Sequence, residues 1–400
     1  MSLIYLDNNA TTRVDAEVLA TMVPYFLEHY GNASSAHGAG AVAAKAVQAA
    51  RRAVQALIGA RADEEILFTS GATESNHSAV HSALAAGSAS GRSELVVSAV
   101  EHPSLLVTAK HLEATRAIKV HFVPVDGNGQ IDLDAYRRVL STRTALASVM
   151  WANNETGTLH DVALLAELAH QAGALFHVDA VQAAGRVAMD VKATAIDLLS
   201  LTAHKLHGPK GVGALYVKKG LRFHPSLRGG KQERGRRAGT ENVPGIVGFG
   251  KAAELAMQGF EDEHRVRALR DRLEAGLLER IPRSRVNGAV STRLGNTSNI
   301  SFERVDGEAA VELLSRLGIA VASGAACASG LNEASHVLRA MRVPLAMAMG
   351  AIRFSLSKDN SDGEIDRVLE VLPRLIESLR KPRPTESSQG FSSQYGSQPA

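Results

Sequence analysis

Short apolar runs alternate with segments of helical periodicity through the first two-thirds of the chain. Seven runs have the length and composition of buried strands: residues 65–69, 94–98, 119–125, 144–151, 174–179, 196–202 and 213–218. Between most of them lie helix-length segments in which apolar residues recur at roughly helical spacing, such as residues 160–173. This alternation predicts an α/β fold with a mostly parallel sheet covered by helices on both faces. Ligands bind beyond the carboxyl ends of the strands of such sheets.

The last third of the chain predicts a smaller α/β domain. Residues 254–281 have the pattern of one long amphipathic helix, with an interruption near Gly259, and we interpret this helix as the link between the two domains. Residues 296–303 and 350–357 are predicted strands of the smaller domain.

The domain boundaries follow from these elements. We predict a large domain formed by residues 15–258 and a small domain formed by residues 1–14 and 259–380. Residues 381–400 are rich in Pro, Ser, Gln and Gly and carry few apolar residues, so they are predicted to be disordered.

Composition narrows the function classes. The 400 residues are 45% hydrophobic and 21% charged, which suits a globular protein with a sizeable core. A net charge of +3 does not indicate a nucleic-acid binder. No apolar run reaches the ~18 residues of a membrane span, and the start lacks the features of a secretory signal. The single cysteine, Cys327, excludes an intrachain disulfide, and together these features predict a cytoplasmic protein.

Several predicted strands end in polar residues. The stretch FTSGATESN, residues 68–76, passes from a strand into a helix near Ala72 and Thr73. Free backbone N–H groups and hydroxyls at such a helix start suit a phosphate, although a plain helix cap is the alternative interpretation. His77 and His81 have a spacing found in zinc sites, but they lack the usual glutamate and a third ligand, so no metal site is predicted.

Four more residues follow predicted strands, and together they indicate a cofactor. Asn154 and Asp179 end two strands, His102 follows another, and Lys205 comes just after the apolar run LLSLT. Taken singly, Asp179 fits a helix cap and His102 a structural role. As a set with the phosphate site, a lysine amine, an imidazole and a carboxylate for a ring nitrogen predict pyridoxal phosphate.

Nine motifs run in order from residue 5 to residue 357: YLDNNATT, FTSGATES, EHPS, MWANNETGT, HVDAVQAAG, HKLHGPKGVGALY, RGGKQERGRRAGTEN, GAACASG and IRFSLS. Through these motifs the chain resembles the NifS-like cysteine desulfurases of the nitrogen-fixation type, which belong to fold type I of the pyridoxal phosphate enzymes. The resemblance therefore implies an aspartate aminotransferase-like fold over nearly the whole chain.

The resemblance also implies a role for each site residue. Lys205 would bind the cofactor covalently, His102 would stack on its ring and transfer protons, and Cys327 would accept sulfur. The remaining cofactor contacts would come from Ala72, Thr73, Asn154, Asp179, Gln182, Thr202, His204 and, from the other subunit of a homodimer, Thr240. Arg353, with Asn154, would bind the substrate. Thr202 replaces a serine or cysteine of other members, and its hydroxyl is expected to keep the phosphate contact.

The implied reaction converts L-cysteine to L-alanine and leaves sulfur on Cys327 as a persulfide. A NifU-like iron–sulfur scaffold would take the sulfur, in support of nitrogenase maturation. Three alternatives of the same fold remain open: a housekeeping cysteine desulfurase, a selenocysteine lyase and an aminotransferase. A catalytically inactive sulfur-scaffold partner is the alternative of a different class.

Overall fold

The computed structural model describes residues 3–116, 118–259, 262–323 and 333–380. The strands are β1 (Ile4–Tyr5), β2 (Ile66–Thr69), β3 (Glu94–Ser98), β4 (Lys119–Val123), β5 (Thr144–Ser148), β6 (Leu175–Asp179), β7 (Leu198–Thr202), β8 (Gly213–Val217), β9 (Ser284–Asn287), β10 (Thr297–Phe302), β11 (Ile319–Ala320), β12 (Ala322–Ser323) and β13 (Ala351–Ser355). The α-helices are α1 (Ala16–Met22), α2 (Pro24–Leu27), α3 (Gly38–Leu57), α4 (Ala72–Gly87), α5 (Pro103–Thr115), α6 (Leu133–Val139), α7 (Val162–Gln171), α8 (Val243–Gln258), α9 (Asp262–Arg280), α10 (Gly307–Arg316), α11 (His336–Ala340), α12 (Leu345–Ala348) and α13 (Asp362–Arg380). The predicted disordered tail and Cys327 lie outside the described residues.

The larger sheet has seven strands in the order β2-β8-β7-β6-β5-β3-β4. Only β8 runs antiparallel to its neighbours, and all the other neighbouring pairs are parallel. The predicted mostly parallel sheet is therefore confirmed. The predicted strand over residues 144–151 extends too far, because β5 ends at Ser148. Val149 and Met150 remain buried, and the N–H groups of Val149 and Trp151 still donate to the carbonyl oxygens of His177 and Asp179 in β6, so the chain continues beside β6 for a few residues beyond the regular strand.

The smaller sheet has four antiparallel strands in the order β12-β13-β10-β9, and β1 pairs separately with β11. The two strands predicted for this region are β10 and β13. The long predicted helix is two helices, α8 and α9, and Gly259 caps the end of the first. The first helix begins well before residue 254, since Asn242 accepts a hydrogen bond from the Gly245 N–H and Pro244 occupies the first turn.

The two sheets pack against separate hydrophobic cores. The seven-stranded sheet has two, the larger of which includes Phe176 and Phe249, and the four-stranded sheet has one, which includes Phe302 and Phe354 from β10 and β13. The predicted domain boundaries remain a proposal that this separation supports, although residues between Ala334 and Ala351 also contribute to the larger core of the seven-stranded sheet. Among the described residues, none of the helices combines the length and the apolar character needed to cross a bilayer.

Candidate active site

A cavity of about 670 Å³ lies beyond the carboxyl ends of β2, β3, β6 and β7. The structure brings most of the predicted site residues to its walls. The predicted residues among those that line it are Ala72, Thr73, His102, Asn154, Asp179, Gln182, Thr202, His204, Lys205 and Arg353. The two other predicted residues, Thr240 and Cys327, are not among the residues that line this cavity.

Lys205 follows β7 in a short 3-10 turn, Ala203–Lys205, at the end of the apolar run LLSLT. Its Nζ donates hydrogen bonds to the carbonyl oxygens of Asn9 and Ala10, the latter at 2.7 Å. Burial, together with the nearby cations Arg353 and Arg186, lowers the pKa of Lys205 to about 7. Because the ordinary lysine pKa is near 10.4, a large fraction of this amine is uncharged and nucleophilic at neutral pH.

The N-terminus of α4 opens onto the same cavity. Gly71 is its N-cap and provides no side-chain hydrogen bond to the first turn. The N–H groups of Ala72 and Thr73 precede the first intrahelical bond, which the Ser75 N–H donates to the Gly71 carbonyl, and they are therefore free to bind an anion. Glu74 in the same turn is paired with Arg237 at 2.9 Å, so its negative charge is offset.

Two more predicted phosphate contacts line the cavity but are already engaged. The Thr202 hydroxyl donates to the carbonyl oxygen of Val212 at 3.2 Å. His204 Nδ1 lies 3.2 Å from the Thr11 hydroxyl, and burial lowers the pKa of His204 to about 4. A neutral His204 can donate one hydrogen bond to a phosphate but adds no positive charge to it.

Asp179 is the last residue of β6 and is 5% exposed. Its Oδ1 accepts a hydrogen bond from the Val181 N–H at 3.1 Å, and its Oδ2 accepts one from Asn76 Nδ2 at 2.8 Å. Two donors on a buried carboxylate favour its charged form. Asp179 can therefore hold a proton on a ring nitrogen placed against it.

His102 caps the N-terminus of α5. Its Nδ1 accepts a hydrogen bond from the Ser104 N–H at 3.2 Å and lies 2.9 Å from the Ser104 hydroxyl. Burial lowers the pKa of His102, with Asp179 acting in the opposite direction and Lys205 adding to the decrease. The sequence left open a structural or a catalytic role for His102, and the geometry combines the two, because the capping residue also lines the cavity.

Within the N-terminal stretch of residues 7–12, Asn9, Ala10 and Thr11 form a wall of the cavity for which the sequence assigned no role. Asn9 and Ala10 hold the Lys205 amine, and the Asn9 carbonyl also accepts from Gln182 Nε2 at 2.9 Å. Asn9 Nδ2 in turn donates to the Asn154 carbonyl at 3.1 Å. The sequence drew attention to this stretch only through the motif YLDNNATT. Neither a predicted strand end nor a hydrophobic periodicity in it indicated these contacts.

Arg353 lies in the middle of β13, on the smaller sheet. Its guanidinium donates to the Asp7 carboxylate at 2.6 Å and to the Asn154 carbonyl at 3.1 Å. Its Nε is buried and has no partner among the described residues. A planar guanidinium held on two sides in this way retains N–H donors for a substrate carboxylate.

The two remaining predicted residues are placed differently. Thr240 is exposed and lines a separate, smaller cavity with Arg237 and Gly211, so it is not part of the main cavity of its own chain. Cys327 falls within residues 324–332, outside the described residues. A few residues after this range, His336 Nε2 lies within hydrogen-bond distance of the Glu101 carbonyl oxygen, at 2.9 Å.

These residues fit pyridoxal phosphate. The free N–H groups at the start of α4 suit its phosphate, the doubly hydrogen-bonded Asp179 suits a protonated ring nitrogen, and the Lys205 amine suits its aldehyde. All three lie around one cavity. The fit rests on the chemistry of the donor set and not on any single residue.

The chain is similar to known proteins over most of its length. The model of the aminotransferase class-V family matches residues 4–368. A cysteine desulfurase of Gluconacetobacter diazotrophicus is 57% identical over 385 residues, which cover 96% of this chain and 96% of that protein. Cysteine desulfurase NifS of Azotobacter vinelandii is 51% identical over 391 residues, or 98% and 96% of the two chains. A solved structure described as a NifS-like protein superposes with a TM-score of 0.88 at 37% identity, covering 94% of this chain and all of that one.

Proposed function

The chain belongs to the class-V aminotransferase family, and from that premise we propose that it is a cysteine desulfurase that uses pyridoxal phosphate. It converts L-cysteine to L-alanine and passes the sulfur to an acceptor for iron–sulfur cluster assembly. The observation that carries the proposal is the Lys205 amine, buried at the wall of one cavity with Asp179 and the free N-terminus of α4. When bound, the cofactor supplies a sink for the electron pair left at the substrate Cα.

Lys205 acts first as a nucleophile and then as a base. Since its pKa is lowered to about 7, roughly half of the amine would be uncharged at neutral pH and available to the cofactor aldehyde. Once the substrate had freed it from the cofactor, the same amine could take the Cα proton. The carbonyl oxygens of Asn9 and Ala10 can hold the resulting ammonium group.

Asp179 and the start of α4 would hold the cofactor from two ends. The Asp179 carboxylate would keep the ring nitrogen protonated, which would make the ring electron-poor. The N–H groups of Ala72 and Thr73, with His204, would bind the phosphate. Gln182 and Asn154, which also line the cavity, would contact the ring.

Arg353 orients the substrate by its carboxylate. The contacts to Asp7 and to the Asn154 carbonyl hold the guanidinium plane, and its remaining N–H groups pair with the two carboxylate oxygens. His102 is placed to exchange a proton with the substrate, because it lines the cavity in its neutral form.

Sulfur leaves the substrate through Cys327. The thiolate of Cys327 attacks the substrate sulfur, so that an S–S bond forms and the substrate Cβ–S bond breaks. The electron pair of that bond returns to the substrate, whose Cβ takes up a proton to give the methyl group of alanine. Cysteine and one thiol thus yield alanine and one persulfide, with no outside oxidant or reductant.

The proposal extends to the setting of the enzyme. A homodimer would let Thr240 of one subunit reach the phosphate in the other, and Thr240 is exposed and absent from its own cavity wall. The similarity to NifS supports a NifU-like scaffold as the acceptor and a role in nitrogenase maturation. A single cysteine with no disulfide partner suits the reducing cytoplasm, where thiols stay reduced.

Mass spectrometry of the purified holoenzyme after exposure to L-cysteine tests this function. We expect one added sulfur on the peptide that carries Cys327 and one alanine per sulfur released. The Cys327→Ala variant is expected to keep its visible cofactor absorbance and to lose the added sulfur. Alanine production without any protein-bound sulfur would instead identify a lyase, and formation of a keto acid would identify an aminotransferase.

A further inference from the structure

Asn76 is a fully buried residue in the second turn of α4 for which the reaction above requires no role. Its side-chain amide lies between two site residues. Nδ2 donates to Asp179 Oδ2 at 2.8 Å and to the Ser104 hydroxyl at 2.9 Å. Its Oδ1 is buried and has no partner among the described residues.

The orientation of this amide follows from the charge on Asp179. An ionised carboxylate only accepts hydrogen bonds, so the amide must turn its nitrogen toward Asp179. The second hydrogen on that nitrogen then points at Ser104. The unpartnered Oδ1 is the cost of this orientation, since a buried acceptor without a donor is unfavourable.

The hydroxyl of Ser104 carries the constraint to His102. Because that oxygen accepts from Asn76, its own hydrogen is available for His102 Nδ1, 2.9 Å away. The backbone N–H of Ser104 also points at Nδ1, at 3.2 Å. With two donors directed at it, Nδ1 carries no hydrogen, and the neutral ring must carry it on Nε2.

Among the described residues, four ionisable groups face the Asp179 and His102 ends of this series of hydrogen bonds or belong to it, besides His102 itself: Asp179, Lys205, His336 and Glu101. His102 faces Asp179, Lys205 and His336, and burial lowers its pKa. Asp179 also faces Glu101, whose full burial raises its own pKa well above the ordinary value and so favours its neutral form. Asp179 is therefore the carboxylate whose charge orients the Asn76 amide.

We propose that Asn76 is a positioning residue that links the charge of Asp179 to the tautomer of His102 through the hydroxyl of Ser104. With Asp179 ionised, His102 can give a proton from Nε2 but cannot accept one there. The same amide stabilises the charge on Asp179. One buried side chain thus supports both the protonation of the cofactor ring, through Asp179, and the direction of proton transfer at His102, where the Ser104 backbone N–H acts in the same sense. The inference rests on the proposed function for its catalytic consequence, but not for its effect on the cofactor.

Three variants of the holoenzyme separate these effects. Asn76→Ala removes both contacts, whereas Ser104→Ala breaks the link to His102 and leaves the Asn76–Asp179 contact in place. Ser78→Ala is the matched control, since Ser78 is a buried serine of the same helix that bonds Ser226 at 3.0 Å, outside the link. The measurements are the thermal unfolding midpoint, the pH midpoint of the visible cofactor absorbance, and kcat and KM for L-cysteine.

Asn76→Ala is expected to move the pH midpoint of the absorbance upward by about one unit, the size expected when a charged group loses one hydrogen bond. Without this hydrogen bond the charged form of Asp179 is less stable, so the ring nitrogen is less protonated. The nitrogen that joins Lys205 to the cofactor then keeps its proton to higher pH. Ser104→Ala is expected to keep the wild-type midpoint and KM but to lower kcat about ten-fold, because one of two donors to Nδ1 is lost. Ser78→Ala should match the wild type in all three.

A folded Asn76→Ala protein with the wild-type absorbance midpoint would overturn the proposal. If that variant does not fold, Ser104→Ala decides alone, and a wild-type kcat in it would overturn the proposal equally. Failure of the proposed function looks different: the wild type would not desulfurate cysteine, yet the midpoint shift in Asn76→Ala would still appear.

Discussion

The two sheets contribute to the active site in different ways. The seven-stranded sheet supplies Asp179 and Lys205 at or just beyond the ends of neighbouring parallel strands. The four-stranded sheet supplies Arg353 from the middle of an antiparallel strand, where it is the one residue of β13 that is not fully buried. The parallel strands of the larger sheet bring residues that are distant in sequence to one edge of that sheet. The smaller sheet contributes a single side chain from the middle of one strand.

This difference divides the chemistry. The residues proposed to bind the cofactor lie largely on the seven-stranded sheet, and the residue proposed to bind the substrate carboxylate lies on the other. Changes on one sheet should therefore alter cofactor binding, and changes on the other should alter substrate binding. The following predictions test that division.

Lys205→Ala should have the largest effect. Because it removes the group that acts as both nucleophile and base, activity should fall by at least about a thousand-fold. The visible absorbance that depends on the covalent link should also disappear. Absorbance spectra and alanine assays measure both, with the exposed Lys192→Ala as the control. A covalent cofactor signal that survives in Lys205→Ala would remove Lys205 from its role.

Arg353→Lys should affect only the substrate. A lysine cannot pair with a carboxylate through two parallel N–H groups, so KM for L-cysteine should rise roughly ten- to hundred-fold. The cofactor absorbance should not change, because a lysine keeps the positive charge that acts on Lys205. Arg285→Lys, at an exposed position of β9, is the control. A lost cofactor signal in Arg353→Lys would break the division between the sheets.

The pKa of Lys205 predicts how cofactor capture depends on pH. Since the pKa is lowered to about 7, the uncharged amine is the minor form below that pH. The rate at which cofactor-free protein captures pyridoxal phosphate should then fall about ten-fold for each pH unit below 7. Stopped-flow absorbance measures this rate. A rate that keeps rising steadily from pH 8 to pH 10 would indicate an ordinary lysine pKa instead.

Thr202→Val should have the smallest effect. The hydroxyl hydrogen of Thr202 is directed at the Val212 carbonyl, so the phosphate depends mainly on the start of α4. The affinity for pyridoxal phosphate should decrease by about five-fold, as expected for one neutral hydrogen bond. Equilibrium titration of the cofactor-free protein tests this, and a decrease of a hundred-fold or more would assign Thr202 a main share of phosphate binding.

The sequence predicted the residues whose position follows from a simple rule. Lys205, Asp179 and His102 each follow a strand of a parallel sheet, and the carboxyl ends of parallel strands share one edge. Their convergence could therefore be expected from the apolar runs alone. Arg353 could not be placed in this way, because a residue in the middle of a strand has no such marker, and only the motif IRFSLS indicated it.

The contacts that the sequence did not reveal join distant parts of the chain or depend on orientation. Asn9 and Lys205 are 196 residues apart, and no local pattern relates them. Asn76 lies within a helix, where a buried amide looks like any other polar residue until its partners are known. The direction of the Thr202 hydroxyl is likewise set by the carbonyl of Val212, the residue just before β8.

The stretch of residues 7–12 determines when during synthesis this enzyme can become complete. Asn8 Nδ2 donates to the Ser355 carbonyl at 2.9 Å, and β1 pairs with β11, so this stretch has its partners more than 300 residues later in the sequence. The wall that holds the Lys205 amine is therefore anchored only once β13 has been translated. A nascent chain stalled before β13 would have the strand ends of the large sheet but an unfinished pocket, so stable loading with the vitamin-derived cofactor belongs after the synthesis of β13.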